Sequence, residues 1–257
     1  MSFWDEIRKV PPVTRFLCGS SLAVTLPVML QVLSPYHVVF VQELVTRRYE
    51  LWRVFTSFFL GSSGINYIFD IVMLYRNSNE LESSQYAGRS ADYGWQLLLV
   101  GVSIIALNLP LRSVVHTRPL LLALTYLSSR LAPAGSQTSL LGLINFPLLY
   151  LPYVLIGLDL IMGGPGAAAQ SLTGVVAGHL WWWGVWDTGA LRGLGSAPGW
   201  MQALVGSGSA PGGGAAGGGG GRGGGAGGGV HVVPPRQVRE QRESAHRWGS
   251  GHRLGES

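Results

Sequence analysis

Three ionisable residues stand inside apolar sequence: Asp70, Asp159 and His179. An ionisable group in hydrocarbon is costly unless it is hydrated, paired or neutralised, so each marks a candidate site. His179 has two readings. With a serine in reach it could form the nucleophilic dyad of an intramembrane protease, and Ser136 and Ser139 are the nearest candidates. Such a nucleophile needs a tight glycine-flanked turn that exposes its hydroxyl and frees backbone N–H groups for an oxyanion. Neither serine has glycines on both sides, so the other reading is a histidine packed against a polar neighbour. Asp70 and Asp159 could line a wet groove, form the ion site of a small-molecule transporter, or lie near the membrane interface.

Three further patterns concern docking rather than catalysis. Gly174-Val175-Val176-Ala177-Gly178 directly precedes His179. Two glycines one turn apart leave a flat helix face that a second helix can approach closely. The expected partner is a helix of the same chain; the alternative is a subunit interface, and hence a homo-oligomer. Trp52-Arg53 sits among apolar residues at helical spacing and reads as an aromatic anchor beside a snorkelling cation. The C-terminal Trp248-Gly249-Ser250-Gly251-His252-Arg253-Leu254-Gly255 suits a docking peptide: Trp248 and Leu254 can fill two pockets, and the glycines let the backbone lie close to a partner.

The elements that must carry these residues are membrane helices. The chain of 257 residues is 47% hydrophobic and only 12% charged, with mean hydropathy +0.29 despite 38 glycines; a soluble domain carries about 25% charged residues. Apolar spans are expected at residues 14–33, 64–75, 95–109, 120–131, 146–162 and 172–186, several shorter than the roughly 20 residues a ~30 Å hydrocarbon core requires. Residues 34–61 read as short helices lying in the interface plane. Six crossings place both termini on one side, and Arg8, Lys9 and Arg15 make that side cytosolic. Arg76, Arg89, Arg130 and Arg192 agree; Arg47, Arg48, Arg53, Arg112 and Arg118 fall on the other side. No small-residue cleavage site clearly follows the first span, which reads as a retained anchor rather than a signal peptide.

The net charge of +5 is read as a basic tail beside anionic lipid, not as a nucleic-acid footprint, because the tail arginines lack a stacked aromatic array. Cys18 is the only cysteine, which excludes an intramolecular disulfide and makes a cysteine-based metal site implausible. No cofactor is expected. The organisation read from the sequence is all-α: a polytopic membrane domain over residues 1–190, a flexible Gly-rich linker over 191–245, and the docking peptide over 246–257.

Several segments together resemble the Derlin family of rhomboid-like pseudoproteases: residues 10–16, Trp52-Arg53 with Thr56 and Phe58, Leu81-Glu82, Gly88-Arg89-Ser90-Ala91-Asp92-Tyr93, residues 150–155, and Gly174-x-x-x-Gly178-His179-Leu180. The resemblance covers about residues 5–190. It implies a six-helix rhomboid-like bundle in the endoplasmic reticulum membrane, without protease activity, acting in ER-associated degradation to move misfolded proteins to the cytosol. It also implies that Trp52-Arg53 and Gly174/Gly178 serve retrotranslocation, and that an ER ubiquitin ligase complex is a partner. The tail from Trp248 to Gly255 is similar to an SHP box, through which some members recruit the valosin-containing AAA ATPase. The chain departs from the family pattern in its long polyglycine tether, in His252, and in Asp70 and Asp159, where asparagines are expected.

Overall fold

The computed structural model describes residues 5, 8–133, 135–140 and 144–206; the tail with Trp248, Gly249, Gly251, Arg253, Leu254 and Gly255 lies outside the described residues. Helix α1 is Pro12–Met29. Proline at the first helical position loses nothing, because its missing N–H would be unpaired there anyway. Pro11 before it offers no side-chain cap, so the first N–H groups seek another acceptor. They find the carboxylate of Glu82: Val13 N–H donates at 3.0 Å, Thr14 N–H at 2.7 Å and the Thr14 hydroxyl at 2.8 Å. A negative charge at a helix N-terminus is also favoured by the helix dipole.

After α1 a one-turn 3-10 segment, Pro35–His37, leads into two short helices, α2 (Gln42–Arg48) and α3 (Trp52–Thr56). Tyr49, left-handed at φ 57°, ends α2. Helix α4 (Ile65–Glu80) runs on without a break into a wider π turn at Leu81–Gln85. The span expected at 64–75 is therefore longer than hydropathy suggested. Its second half looks polar because Asn77, Ser78 and Glu82 are buried and bonded inside the protein, Asn77 to the Thr125 hydroxyl at 2.6 Å. Helix α5 is Ser90–Asn108.

Helix α6 (Thr117–Leu131) is the core of the bundle: every residue from Pro119 to Ser129 is buried. A helix apolar on all sides is one enclosed on all sides. Its few hydroxyls turn back on their own carbonyls, Thr125 to Leu121 at 2.7 Å and Ser129 to Tyr126 at 2.7 Å. Strands β1 (Gln137–Leu140) and β2 (Ile144–Pro147) follow as an antiparallel hairpin with Gln137 opposite Pro147. This hairpin adds to the expected all-α class, and it takes Phe146 out of the span expected to begin there.

Helix α7 is Leu151–Trp181, extended by a π turn at Trp182–Asp187. It is two helices. Gly164 has φ 75°, outside helical geometry, and Pro165 follows. Ser171 nevertheless donates a hydrogen bond to Asp159, 12 residues earlier, where one straight helix would hold them about 18 Å apart. The chain reverses at Gly164, and the spans expected at 146–162 and 172–186 are the two arms, 151–163 and 165–181. By length and composition, Pro12–Met29, Ser90–Asn108 and Leu148–Asp187 are apolar enough to cross a membrane. Beyond residue 190 the chain stays packed: Gln96 donates to the Gly195 carbonyl at 2.7 Å, Ala197 N–H to Asp92 at 2.8 Å, and α8 (Gly199–Gly206) buries Met201 beside Gly94 of α5. Residues 191–206 thus belong to the bundle rather than to the linker read from composition.

Glu82→Ala strands two buried N–H groups and a hydroxyl at the start of α1. The expected loss is on the order of 3 kcal/mol, read as a lowered melting temperature of the detergent-solubilised protein, with Glu82→Gln falling between the two.

Candidate functional site

Asp70 of α4 and Asp159 of the first arm of α7 come together at the end of the bundle away from the N-terminus, joined by Arg118 in the first turn of α6. Arg118 Nη1 donates to Asp70 Oδ1 at 2.7 Å and Nη2 to Asp159 Oδ1. The outer carboxylate oxygens are taken by hydroxyls, Ser62 to Asp70 at 2.8 Å and Ser171 to Asp159. The aspartates are 5% and 6% exposed. This is how two carboxylates persist in an apolar bundle: each oxygen has a donor and one guanidinium offsets one of two charges. Ser62 also lines an open cavity of about 440 Å³ beside Thr25, Leu33 and Gly61.

The sequence had marked Asp70 and Asp159 as separate groove residues and left Arg118 among the loop arginines. Its position in the first turn of a helix flanked by two lone aspartates was the available signal. Ser62 and Ser171 carried none. His179 is not part of this cluster. It lies on the second arm of α7, two turns beyond Ser171, and its Nδ1 is 2.7 Å from the Tyr126 hydroxyl. Tyr126 also accepts from Arg130 Nε at 2.9 Å. The hydroxyl beside His179 is therefore a phenol in mid-helix, where backbone N–H groups are already spent on the helix and none is free for an oxyanion. Ser136 donates its hydroxyl to the Pro133 carbonyl at 2.8 Å, and Ser139 lies on β1 opposite Asn145. No grouping of His, Cys, Asp and Glu fit for a metal ion occurs among the described residues.

Gly174 and Gly178 pack against α6. A Cβ on Gly174 would come within 2.7 Å of Pro119 Cα, and one on Gly178 within 2.9 Å of the Ala123 carbonyl oxygen. The flat face is used inside the chain, as the spacing led one to expect.

Trp52 is 57% exposed and suits an interfacial anchor. Arg53 does not snorkel. It is 3% exposed, ion-paired with Glu50, stacked 5.3 Å from the Tyr36 ring, and donates to the carbonyls of Tyr36 and Val39, the latter at 3.1 Å. Loop carbonyls without a strand or helix partner need a donor, and a buried guanidinium supplies several at once. Thr56 adds another, to Val38 at 2.8 Å. His116 fastens this loop region to α6: its N–H donates to the Ser57 carbonyl at 2.8 Å, and its ring lies 5.3 Å from both Phe40 and Phe58. Burial among aromatics holds its pKa down at about 4.

At the opposite end, Ser78 receives the Tyr93 hydroxyl at 2.9 Å and lies 2.9 Å from the Thr14 hydroxyl, while Arg89 pairs with Asp92 at 2.8 Å. The segments 81–82 and 88–93, quoted above only as a resemblance, are the groups that tie α1, α4 and α5 together.

Two outcomes follow. Arg118→Met leaves two buried carboxylates facing each other and should cost about 3–5 kcal/mol; the neutral triple variant Asp70→Asn, Arg118→Met, Asp159→Asn should recover most of it in the same thermal assay. For His116, the folded pKa of about 4 lies below the ordinary 6.5, so the unfolded chain binds the extra proton first. Its contribution is complete above pH 6.5 and is lost as pH falls from there toward 4. Melting temperature should drop across that window in the native protein, and less steeply in His116→Gln.

The profile of the Der1-like family matches residues 10–185. Among similar proteins, Derlin-1 of Arabidopsis thaliana is 30% identical over 182 residues, 68% of this chain and 66% of that one, so the chain spans about two thirds of that relative's length. Derlin-1 of rice, Oryza sativa subsp. japonica, is 31% identical over 69% of this chain and 74% of its own. Derlin-1 of Mus musculus is 28% identical over 98% of each chain. The contacts that unite α1, α4 and α5 and that seat α7 on α6 fall within the residues that the family profile matches, and the chain belongs to the Der1-like family.

Proposed function

We propose that this Derlin-type component of ER-associated degradation lowers the barrier to polypeptide crossing by physical means, without chemistry on its substrate. The observation that carries the reading is α6. Its 15 residues span about 22 Å, short of a ~30 Å hydrocarbon core. Charged groups stand at both its ends, Arg118 in the first turn and Arg130 in the last. Arg118 is met by Asp70 and Asp159 inside the bundle, whereas Arg130 has no carboxylate among the described residues, so water and headgroups come inward to meet it. A misfolded chain crossing such a slab leaves fewer backbone groups unsatisfied in hydrocarbon, each costing several kcal/mol.

In this reading both termini face the cytosol, the Asp70–Arg118–Asp159 cluster faces the ER lumen, and α2 and α3 lie in the lumenal interface with Trp52 as anchor. The pairing of His179 with Tyr126 supports a non-proteolytic body. Gly174 and Gly178 are occupied by α6, so a homo-oligomer would need another face. The C-terminal peptide recruits the valosin-containing AAA ATPase, which supplies the pull beside an ER ubiquitin ligase complex. Linking that peptide to the bundle in one chain raises the local ATPase concentration where substrate emerges.

Replacing Trp248 and Leu254 with Ala together should abolish co-purification of the ATPase while membrane insertion persists; undiminished co-purification ends the recruitment reading. Trp52→Ala should slow clearance of a misfolded ER reporter several-fold at unchanged melting temperature, because an exposed ring contributes to lipid contact and little to packing.

A further inference from the structure

Among the described residues Arg53, Arg118 and Arg130 are the arginines that are not exposed, and Arg130 differs from the other two. Arg53 and Arg118 each hold a carboxylate; among the described residues none lies within ion-pair distance of Arg130. Its guanidinium is nonetheless fixed on three sides. It lies 5.3 Å from the Tyr126 ring and 5.0 Å from the Trp182 ring, and Nε donates to the Tyr126 hydroxyl at 2.9 Å. The four N–H groups on Nη1 and Nη2 make no hydrogen bond to the described residues. A half-buried, immobilised fork with unspent donors is suited to an oxyanion that can accept two parallel bonds, such as a carboxylate or phosphate.

What surrounds the fork selects between these. His179, on the adjoining arm, is exposed and uses only Nδ1 toward Tyr126, while Leu180 and Trp183 are about half exposed. On a membrane helix those exposed apolar side chains face acyl chains, so the nearest abundant anion is a phospholipid headgroup. Arg130 is the penultimate residue of a helix of 15 residues, and it sits below the level a full-length span would reach.

We infer that Arg130, stacked between Tyr126 and Trp182 and flanked by His179, binds the phosphodiester of a phospholipid and draws the leaflet at that end of the bundle inward. This deepens the thinning reading and rests on it, but lipid retention is measured without any substrate, so one can fail while the other stands.

The test uses the full-length protein purified in detergent, with retained lipid counted by native mass spectrometry. Wild type should retain dioleoylphosphatidylglycerol about tenfold more strongly than dioleoylglycerol, which has the same chains and no phosphate. Arg130→Gln should fall to the dioleoylglycerol level, and Arg130→Lys should recover only part, since an ammonium neither stacks as well nor bonds in a fork. Arg15→Gln, an exposed cation near the same end without an aromatic stack among the described residues, should retain lipid as wild type does. Millimolar inorganic phosphate should not displace the lipid. Equal retention of the two lipids by wild type overturns the inference without need of any variant. So does undiminished retention by Arg130→Gln, and so does displacement by inorganic phosphate, which would mark a free-anion site.

Discussion

The close approach of α7 to α6 at Gly174 and Gly178 sets the position of almost everything else. With no side chain on those two residues, the second arm of α7 lies directly on the backbone of Pro119 and Ala123. That contact brings His179 within hydrogen-bond reach of Tyr126. Because the first arm is joined to the second through the reversal at Gly164, it also carries Asp159 to Arg118. Between lipid tails there is no hydrophobic gain from bringing helices together, so association relies on close packing and hydrogen bonds. A larger side chain at Gly174 would move the arm outward and loosen both polar contacts at once.

The second rule of the structure is that polar groups withdrawn from water find partners inside the bundle. It accounts for the two most telling side chains. Glu82 caps a helix that its own N-terminal prolines cannot cap. Arg53 supplies donors to a loop that has no regular structure to satisfy its carbonyls. Both are nearly inaccessible, and both are engaged by partners inside the chain, Glu82 by the start of α1 and Arg53 by Glu50 and two carbonyls. Arg130, half-buried and without a carboxylate among the described residues, is not engaged in this way.

The legibility of the sequence followed the same division. Features that depend on local spacing are readable: the GxxxG face, the short helices between residues 34 and 61, the apolar stretches that became α1, α5 and α7. Features that depend on long-range satisfaction are not. Asn77, Ser78 and Glu82 look like a helix end to any hydropathy reading, because their partners Thr125, Tyr93 and Thr14 come from other helices. The aspartates at 70 and 159 were visible as anomalies, yet Arg118 seemed to belong to a loop, since a charge count assigns it to a side of the membrane and not to a partner. Arg53 was mistaken for a snorkelling residue for the same reason: the carbonyls it serves, at Tyr36 and Val39, carry no mark in sequence. The short hairpin of β1 and β2 was hidden inside an apolar run that continues into α7.

On the proposed reading, the short core helix strains the bilayer through the cation at its end. The mismatch between about 22 Å of helix and a ~30 Å core is roughly 8 Å, which at fractions of a kcal/mol per Å costs a few kcal/mol. On that reading the bundle sustains the cost once, through the packing that holds α6 in place. A polypeptide in extended form covers about 3.3 Å per residue, so 8 Å less hydrocarbon spares it two to three residues and about five backbone groups, each worth several kcal/mol when unsatisfied. On the proposed reading the saving to each crossing segment therefore exceeds the standing cost to the membrane. The device also works for any sequence, because the groups spared are backbone groups that every substrate carries.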